Sequence, residues 1–368
     1  MTGVYVHIPF CRQRCAYCDF YSEAGRDNLI PAFLDAVHRE IRIRTKNLTA
    51  SERTVDTVYF GGGTPTLLGP KGIKFLLAEI WNAFDVADDA ELTIETNPAT
   101  VTRDDLTALV DMGVNRISIG CQSFDDTELK LLGRIHTAKE AEHIVHSARK
   151  AGFADIGLDL IFGLPGQNMN TWKKSLDCAT ALEPTHVSTY ALTWSDATPL
   201  GQQINAGRLP SPEEDTLCDM LLTAAARLAE QGFEHYEVSN FAQPDRRSRH
   251  NEGYWTGKQY YGFGPSAHTF SGTQRWWNLA DIAQYITVLS HNCLPTTGSE
   301  SVDPVQKRLE QIALGLRRKE GIPLSLIRDK MGVVQTLVSQ DIGQVMSNTF
   351  SLTATGFLLA DAVALELA

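Results

Sequence analysis

Cys11, Cys15 and Cys18 fall within eight residues, in the spacing C-x3-C-x2-C. Three thiolates on one tight loop match three corners of a cubane [4Fe–4S] cluster. Such clusters usually take four cysteine ligands, so three leave one iron open for chemistry. S-adenosylmethionine (SAM) can chelate an open iron, and SAM with an iron–sulfur centre supports radical chemistry. Structural zinc is the competing reading. Zinc needs four ligands, and His7 is the further candidate nearby. A disulfide framework does not suit this chain, because seven cysteines in 368 residues are sparse and odd in number. Cys121, Cys178, Cys218 and Cys293 are scattered and read as small buried hydrophobes.

A second set of candidates follows short apolar runs. These are Gly61-Gly62-Gly63-Thr64-Pro65-Thr66, Glu95-Thr96-Asn97-Pro98, Cys121-Gln122-Ser123-Phe124, and Asp159 in the stretch ending Gly163-Leu164-Pro165-Gly166-Gln167. Each is weak alone. The glycine run can be an ordinary turn, and Glu95 and Asp159 can cap helices. Their common place at strand exits points to one pocket assembled from distant sequence.

The elements that must position these residues alternate. Strands are expected at Val4–His7, Thr57–Phe60, Glu91–Glu95, Arg116–Gly120, Ile156–Ile161 and His186–Tyr190. Amphipathic helices are expected at Phe33–Arg44, Ile73–Phe84, Leu106–Asp111, Ala138–Ala151 and Trp172–Ala181. This alternation predicts an α/β fold with a parallel sheet and helices outside. Six units suit a partial (β/α)6 barrel, with closure left open. Further on, 212–231 reads as a helix and Arg246–Trp277 is aromatic, glycine-rich and basic. From Pro304 the pattern is mainly helical. The expected division is 1–230 as the core, 231–290 completing it, and 291–368 as a smaller C-terminal domain.

A net charge of −11 argues against nonspecific nucleic-acid binding, which needs a basic field. No apolar run reaches the roughly 20 residues of a membrane span. No signal peptide is read before the first strand, so the thiols are expected in a reducing cytoplasm. Peripheral contact with the inner face of the membrane stays open.

Tyr5-Val6-His7-Ile8-Pro9-Phe10 with the three cysteines, the glycine run and the Gly163–Gln167 segment resemble the radical SAM superfamily. More narrowly the chain resembles the branch of oxygen-independent coproporphyrinogen III oxidases and HemW-type haem chaperones, over most of its length. The resemblance implies Cys11, Cys15 and Cys18 as iron ligands. It implies SAM contacts at Tyr5, Tyr17, Gly62, Gly63, Thr64, Glu95, Gln122, Arg134 and Asp159, with the glycine loop at the amino-acid end of SAM. There, backbone N–H groups are expected to meet a carboxylate. Arg134 rests on the resemblance alone.

Within the branch, two departures point away from the oxidase. Phe20 stands where the oxidase carries a further cysteine, and only four residues precede Tyr5 where the oxidase has a long arm. His250-Asn251-Glu252-Gly253-Tyr254-Trp255 matches the HNxxYW motif of the chaperone group, associated with haem. The expectation is haem bound with His250 as axial ligand and Arg246, Arg247 and Arg249 on the propionates; His235 and His268 compete. The competing reading is a structural His beside a partly buried Trp. The implied function is delivery of haem to client haemoproteins, such as respiratory cytochromes at the membrane. The rivals are coproporphyrinogen III oxidation and another radical SAM activity such as methyl transfer. The C-terminal region is expected to be winged-helix-like without binding DNA.

Overall fold

The computed structural model describes residues 2–368. Its first strand, Thr2–Ile8, buries Val4, Val6 and Ile8 on one side and Gly3 and His7 on the other. Burial on both faces is what a parallel strand covered by helices requires. It pairs in parallel with Thr54–Gly62. The ladder then runs in chain order through Asp85–Thr96, Arg116–Gln122, Asp155–Phe162 and His186–Ala191. Helices Ile30–Thr45, Gly69–Ala83, Arg103–Asp111, Ala138–Ala151 and Met169–Ala181 connect these strands. The first and sixth strands do not pair, so the six units form a partial barrel.

Helices begin where polar caps allow. Thr102, Thr137 and Asn168 each accept from a first-turn amide. These caps start two helices about one turn earlier than the apolar periodicity alone suggests. Gly152 ends its helix in the left-handed region, at φ 109°.

The aromatic stretch after residue 246 resolves into defined elements. Tyr260–Phe263 is a seventh parallel strand beside Thr2–Ile8. His268–Phe270, Gln274–Asn278 and Thr296–Ser301 extend that edge antiparallel. At the other edge the hairpin of Glu234–Glu237 and Asn240–Ala242 follows His186–Ala191. The sheet thereby reaches twelve strands.

A second core starts with the helix Pro304–Gly315 and gathers Ile312, Leu316, Ile327, Phe350 and Leu367. A small antiparallel sheet of Ile322–Pro323, Thr349–Leu352 and Gly343–Met346 completes this mainly helical unit. Among the described residues no helix is long and apolar enough to cross a membrane.

The four scattered cysteines correct one expectation. Only Cys121 is buried; Cys178 and Cys218 are half-buried and Cys293 is exposed. Cys121 lies on a central strand, whereas Cys178 and Cys218 lie on outer helices and Cys293 follows a helix end.

Candidate functional site

The loop after the first strand is held at several points. Phe10–Cys11 pairs with Glu23–Ala24. Ala16 N–H donates to Leu132 O at 3.0 Å, and Leu200 N–H donates to Ala16 O at 2.9 Å. Cys18 N–H closes a turn onto Cys15 O at 3.3 Å. The result is three half-buried, unbridged thiols facing one cavity of about 580 Å³. Cys11 Sγ lies 3.7 Å from Thr64 Oγ1, and the Arg134 guanidinium sets Nη1 3.5 Å from Cys15 Sγ. Burial pushes the Cys11 thiol up, and that of Cys18 up to about 11.

His7 is not a fourth metal ligand. Its Nδ1 accepts from Tyr5 OH at 3.1 Å and its Nε2 donates to Tyr21 O at 2.8 Å. Among the described residues no three His, Cys, Asp or Glu side chains converge on a single-ion site.

The cavity collects the strand exits. Its wall includes Tyr17, Gly62, Gly63, Thr64, Glu95, Gln122, Arg134 and Asp159 with the three cysteines. Tyr5 is behind this wall: a Cβ on Gly61 would meet the Tyr5 ring at 3.0 Å. Arg134, which no periodicity marked, is delivered by the turn at Gly133 (φ 71°) after the helix Asp126–Leu131. Its Nη2 donates to Gly120 O at 2.5 Å, while its buried Nε has no partner. Gln122 is held at φ 68°, a conformation costly for a non-glycine residue and common at functional sites.

The glycine loop differs from its expected role. Gly62 N–H donates to Glu95 Oε2 at 3.1 Å. Gly63 N–H donates to Ile8 O at 2.8 Å and Thr64 N–H to Phe10 O at 2.7 Å. With its amides engaged, the loop can offer acceptors but not donors. That suits an ammonium group rather than a carboxylate. Gly63 has a steric reason as well, since a Cβ there would stand 2.6 Å from Phe10 O and 3.1 Å from Cys11 Sγ.

Glu95 and Asp159 do not cap helices. Glu95 accepts from Tyr59 OH at 2.7 Å, and Asp159 accepts from Ser118 Oγ at 3.0 Å. Burial pushes Glu95 up to about 7 despite the Tyr59 hydroxyl, with the Asp159 charge adding to it. Burial also raises Asp159. Two carboxyls on the wall therefore hold protons more readily than in water. Sequence reasoning missed Tyr190, which lies at the sixth strand's exit, lines the cavity and is 41% exposed. Its position as the expected last residue of a strand was the available signal. Phe20, 67% exposed, stands at the same cavity.

The HNxxYW segment is elsewhere. Arg249–Trp255 is a short helix seated on the Glu91 carboxylate, which accepts from Arg249 N–H at 2.8 Å and His250 N–H at 3.0 Å. His250, the expected axial ligand, already has protein partners at both ring nitrogens. The ring is 4% exposed, with Nδ1 bonded to Thr57 Oγ1 and Nε2 to Tyr254 OH, both at 2.9 Å. The neighbouring arginines already have carboxylate partners. Arg246 pairs with Asp155, Arg247 with Glu234, Glu252 and Glu320, and Arg249 with Asp56 and Asp89. His235 is packed between Phe241 and Phe357, at ring-centroid distances of 4.1 and 4.9 Å. His268 is exposed on its strand, stacked with Trp277.

A profile of the Radical SAM superfamily matches residues 5–179. The heme chaperone HemW of Mycobacterium tuberculosis is 36% identical over 368 residues, covering 98% of this chain and 93% of that protein. HemW of Bacillus subtilis is 32% identical over 373 residues, covering 99% and 98%. The chain belongs to the HemW haem-chaperone family. The similarity reaches beyond the HemW proteins of bacteria. A bovine mitochondrial protein, radical S-adenosyl methionine domain-containing protein 1, is 39% identical over 271 residues, covering 73% of this chain and 60% of that protein. In fold, this HemW-family chain superposes on coproporphyrinogen III oxidase (HemN) from Escherichia coli with a TM-score of 0.86. At 24% identity over 100% of this chain and 90% of that one, the likeness is one of fold.

Proposed function

We propose that this chain binds a [4Fe–4S] cluster, SAM and haem, and hands haem to client haemoproteins. Cys11, Cys15 and Cys18 would hold the cluster. Gly62, Gly63, Thr64, Tyr17, Glu95, Gln122, Arg134 and Asp159 would enclose SAM, with Tyr5 supporting the loop from behind. When bound, the pair supplies radical chemistry. The observation that carries this reading is the single cavity shared by three free thiols and eight of the nine expected SAM residues. The unpartnered Arg134 Nε fits a polar ligand against this wall. Haem delivery is supported by near full-length likeness to heme chaperones. An axial bond from His250 would require its ring to release Thr57 or Tyr254. The reading puts the chain in the cytoplasm, meeting respiratory cytochromes from the inner face of the membrane.

The test is anaerobic reconstitution followed by three measurements: haem titration by the Soret band, haem transfer to an apocytochrome, and coproporphyrinogen III turnover with SAM and a reductant. The expected result is haem binding and transfer without turnover. Steady formation of protoporphyrinogen IX would replace the chaperone reading with the oxidase one.

A further inference from the structure

His250 lies under the cavity wall. Its ring stacks on Tyr59 with centroids 5.0 Å apart and planes at 28°. Tyr59 is the residue whose hydroxyl donates to Glu95 Oε1, and the other oxygen of Glu95 takes Gly62 N–H. Thr57 and Tyr59 stand two apart on one strand and so share a face. One hydroxyl on that face fixes the imidazole, and the imidazole covers the next ring. Tyr254 fixes the second nitrogen, one helical turn along from His250. The space has been made for this ring. A Cβ on Gly3 would approach Thr57 Oγ1 at 3.0 Å and His250 Cε1 at 3.3 Å.

The far end of the same helix meets the C-terminal unit. Arg317 stacks its guanidinium over the Trp255 ring at 5.7 Å. The motif thus spans from the wall of the cavity to the second core.

We infer that His250 is a positioning residue: through its stack on Tyr59 it holds Glu95 and the Gly62 loop in the geometry that receives SAM. This rests on the SAM reading given above. Burial pushes His250 down to about 3, with nearby Lys258 lowering it further against Asp56. The ring is therefore neutral in ordinary buffers, donating to one hydroxyl and accepting from the other.

The experiment compares His250→Ala, Tyr59→Phe and the double variant in the full-length, cluster-loaded protein. SAM affinity is measured by equilibrium dialysis, iron by content per chain, and haem by the Soret band. Loss of the ring is expected to weaken SAM about tenfold, with iron content and Soret position unchanged. Tyr59→Phe is expected to weaken SAM similarly, and the double variant to be no worse than the weaker single variant, since both act through Glu95. Where His250→Ala lowers iron content or fails to fold, Tyr254→Phe, which removes one hydroxyl, takes its place and is expected to weaken SAM about threefold. Unchanged SAM affinity overturns the inference, as do fully additive effects. A lost or shifted Soret band in His250→Ala also overturns it, because the ring would then be a haem ligand. Failure of the unmodified protein to bind SAM overturns the SAM reading itself, and the inference with it.

Discussion

Two motif-bearing regions of this chain treat their leading side chains in opposite ways. In the cysteine cleft, three unbridged thiols and an unpartnered guanidinium nitrogen line a cavity. In the HNxxYW helix, the ring of the leading residue has both nitrogens engaged by protein hydroxyls. Both regions stand out in the sequence by residue type and spacing. What separates them is saturation: the His250 ring already has its partners and stabilises the fold, whereas the thiols and the Arg134 Nε at the cavity are open to a ligand. The motif's presence says that a position matters, and the partner count says for what.

The contrast breaks most simply at the thiols. Replacing Cys11, Cys15 and Cys18 with Ala together is expected to reduce reconstituted iron from about four per chain to background. Far-UV circular dichroism should stay unchanged, because the loop is held by its backbone bonds to Leu132 and Leu200. Retention of the iron would show that the cleft is not the open half of the comparison.

A smaller effect is expected from Gly63→Val. The new side chain would press on Phe10 O and Ile8 O, at 2.6 and 3.0 Å from its Cβ. Those carbonyls belong to the stretch that carries Cys11, so the loss should appear in SAM binding first and in iron second. SAM affinity is expected to fall by more than about tenfold, equivalent to about 1.4 kcal/mol. Isothermal titration of SAM beside an iron assay measures both.

The smallest effect lies in pH dependence, where the two regions should have opposite signs. Glu95 is raised to about 7, so the folded apoprotein binds a proton that the unfolded chain has released above about 4.5. Its stability penalty therefore grows as pH rises from about 4.5 through 7. His250 is lowered to about 3, so the unfolded chain takes up a proton that the fold refuses. Its contribution is complete above about 6.5 and is lost as pH falls toward 3. Glu95→Gln should then raise apoprotein stability at pH 8 and leave it unchanged near pH 4. This carboxyl is only partly buried against an open cavity, so the gain is on the order of 1 kcal/mol. Chemical denaturation at the two pH values reads it, and equal shifts at both would remove the distinction.

The parts legible in the sequence were those fixed by local pattern. The cysteine spacing, the strand–helix alternation and the strand exits lie within short windows, and the parallel ladder forms from them in chain order. Arg134 was not legible from periodicity, because a glycine turn and not a strand carries it to Cys15. The seventh parallel strand was hidden in Tyr260–Phe263, where glycine and aromatics give no clear alternation. The saturation of His250 was invisible because Thr57 is 193 residues away in sequence. Likewise the loop amides of Gly63 and Thr64 are taken by carbonyls of another strand exit, a pairing that spacing does not encode.

An open sheet of twelve strands has two free margins, and unprotected margins recruit other chains. One margin, Thr296–Ser301, is guarded by composition: Thr, Thr, Gly, Ser, Glu and Ser offer no apolar side chain, and Glu300 is tied back to Arg275. The other, Glu234–Glu237, is guarded by the C-terminal unit. Lys319 N–H donates to Tyr236 O and Val238 N–H to Arg317 O, both at 2.9 Å, while Phe357 covers His235. The small C-terminal unit thus covers this margin of the sheet. A chain cut before Pro304 would keep the cavity residues but bare a margin ready to pair with its neighbour.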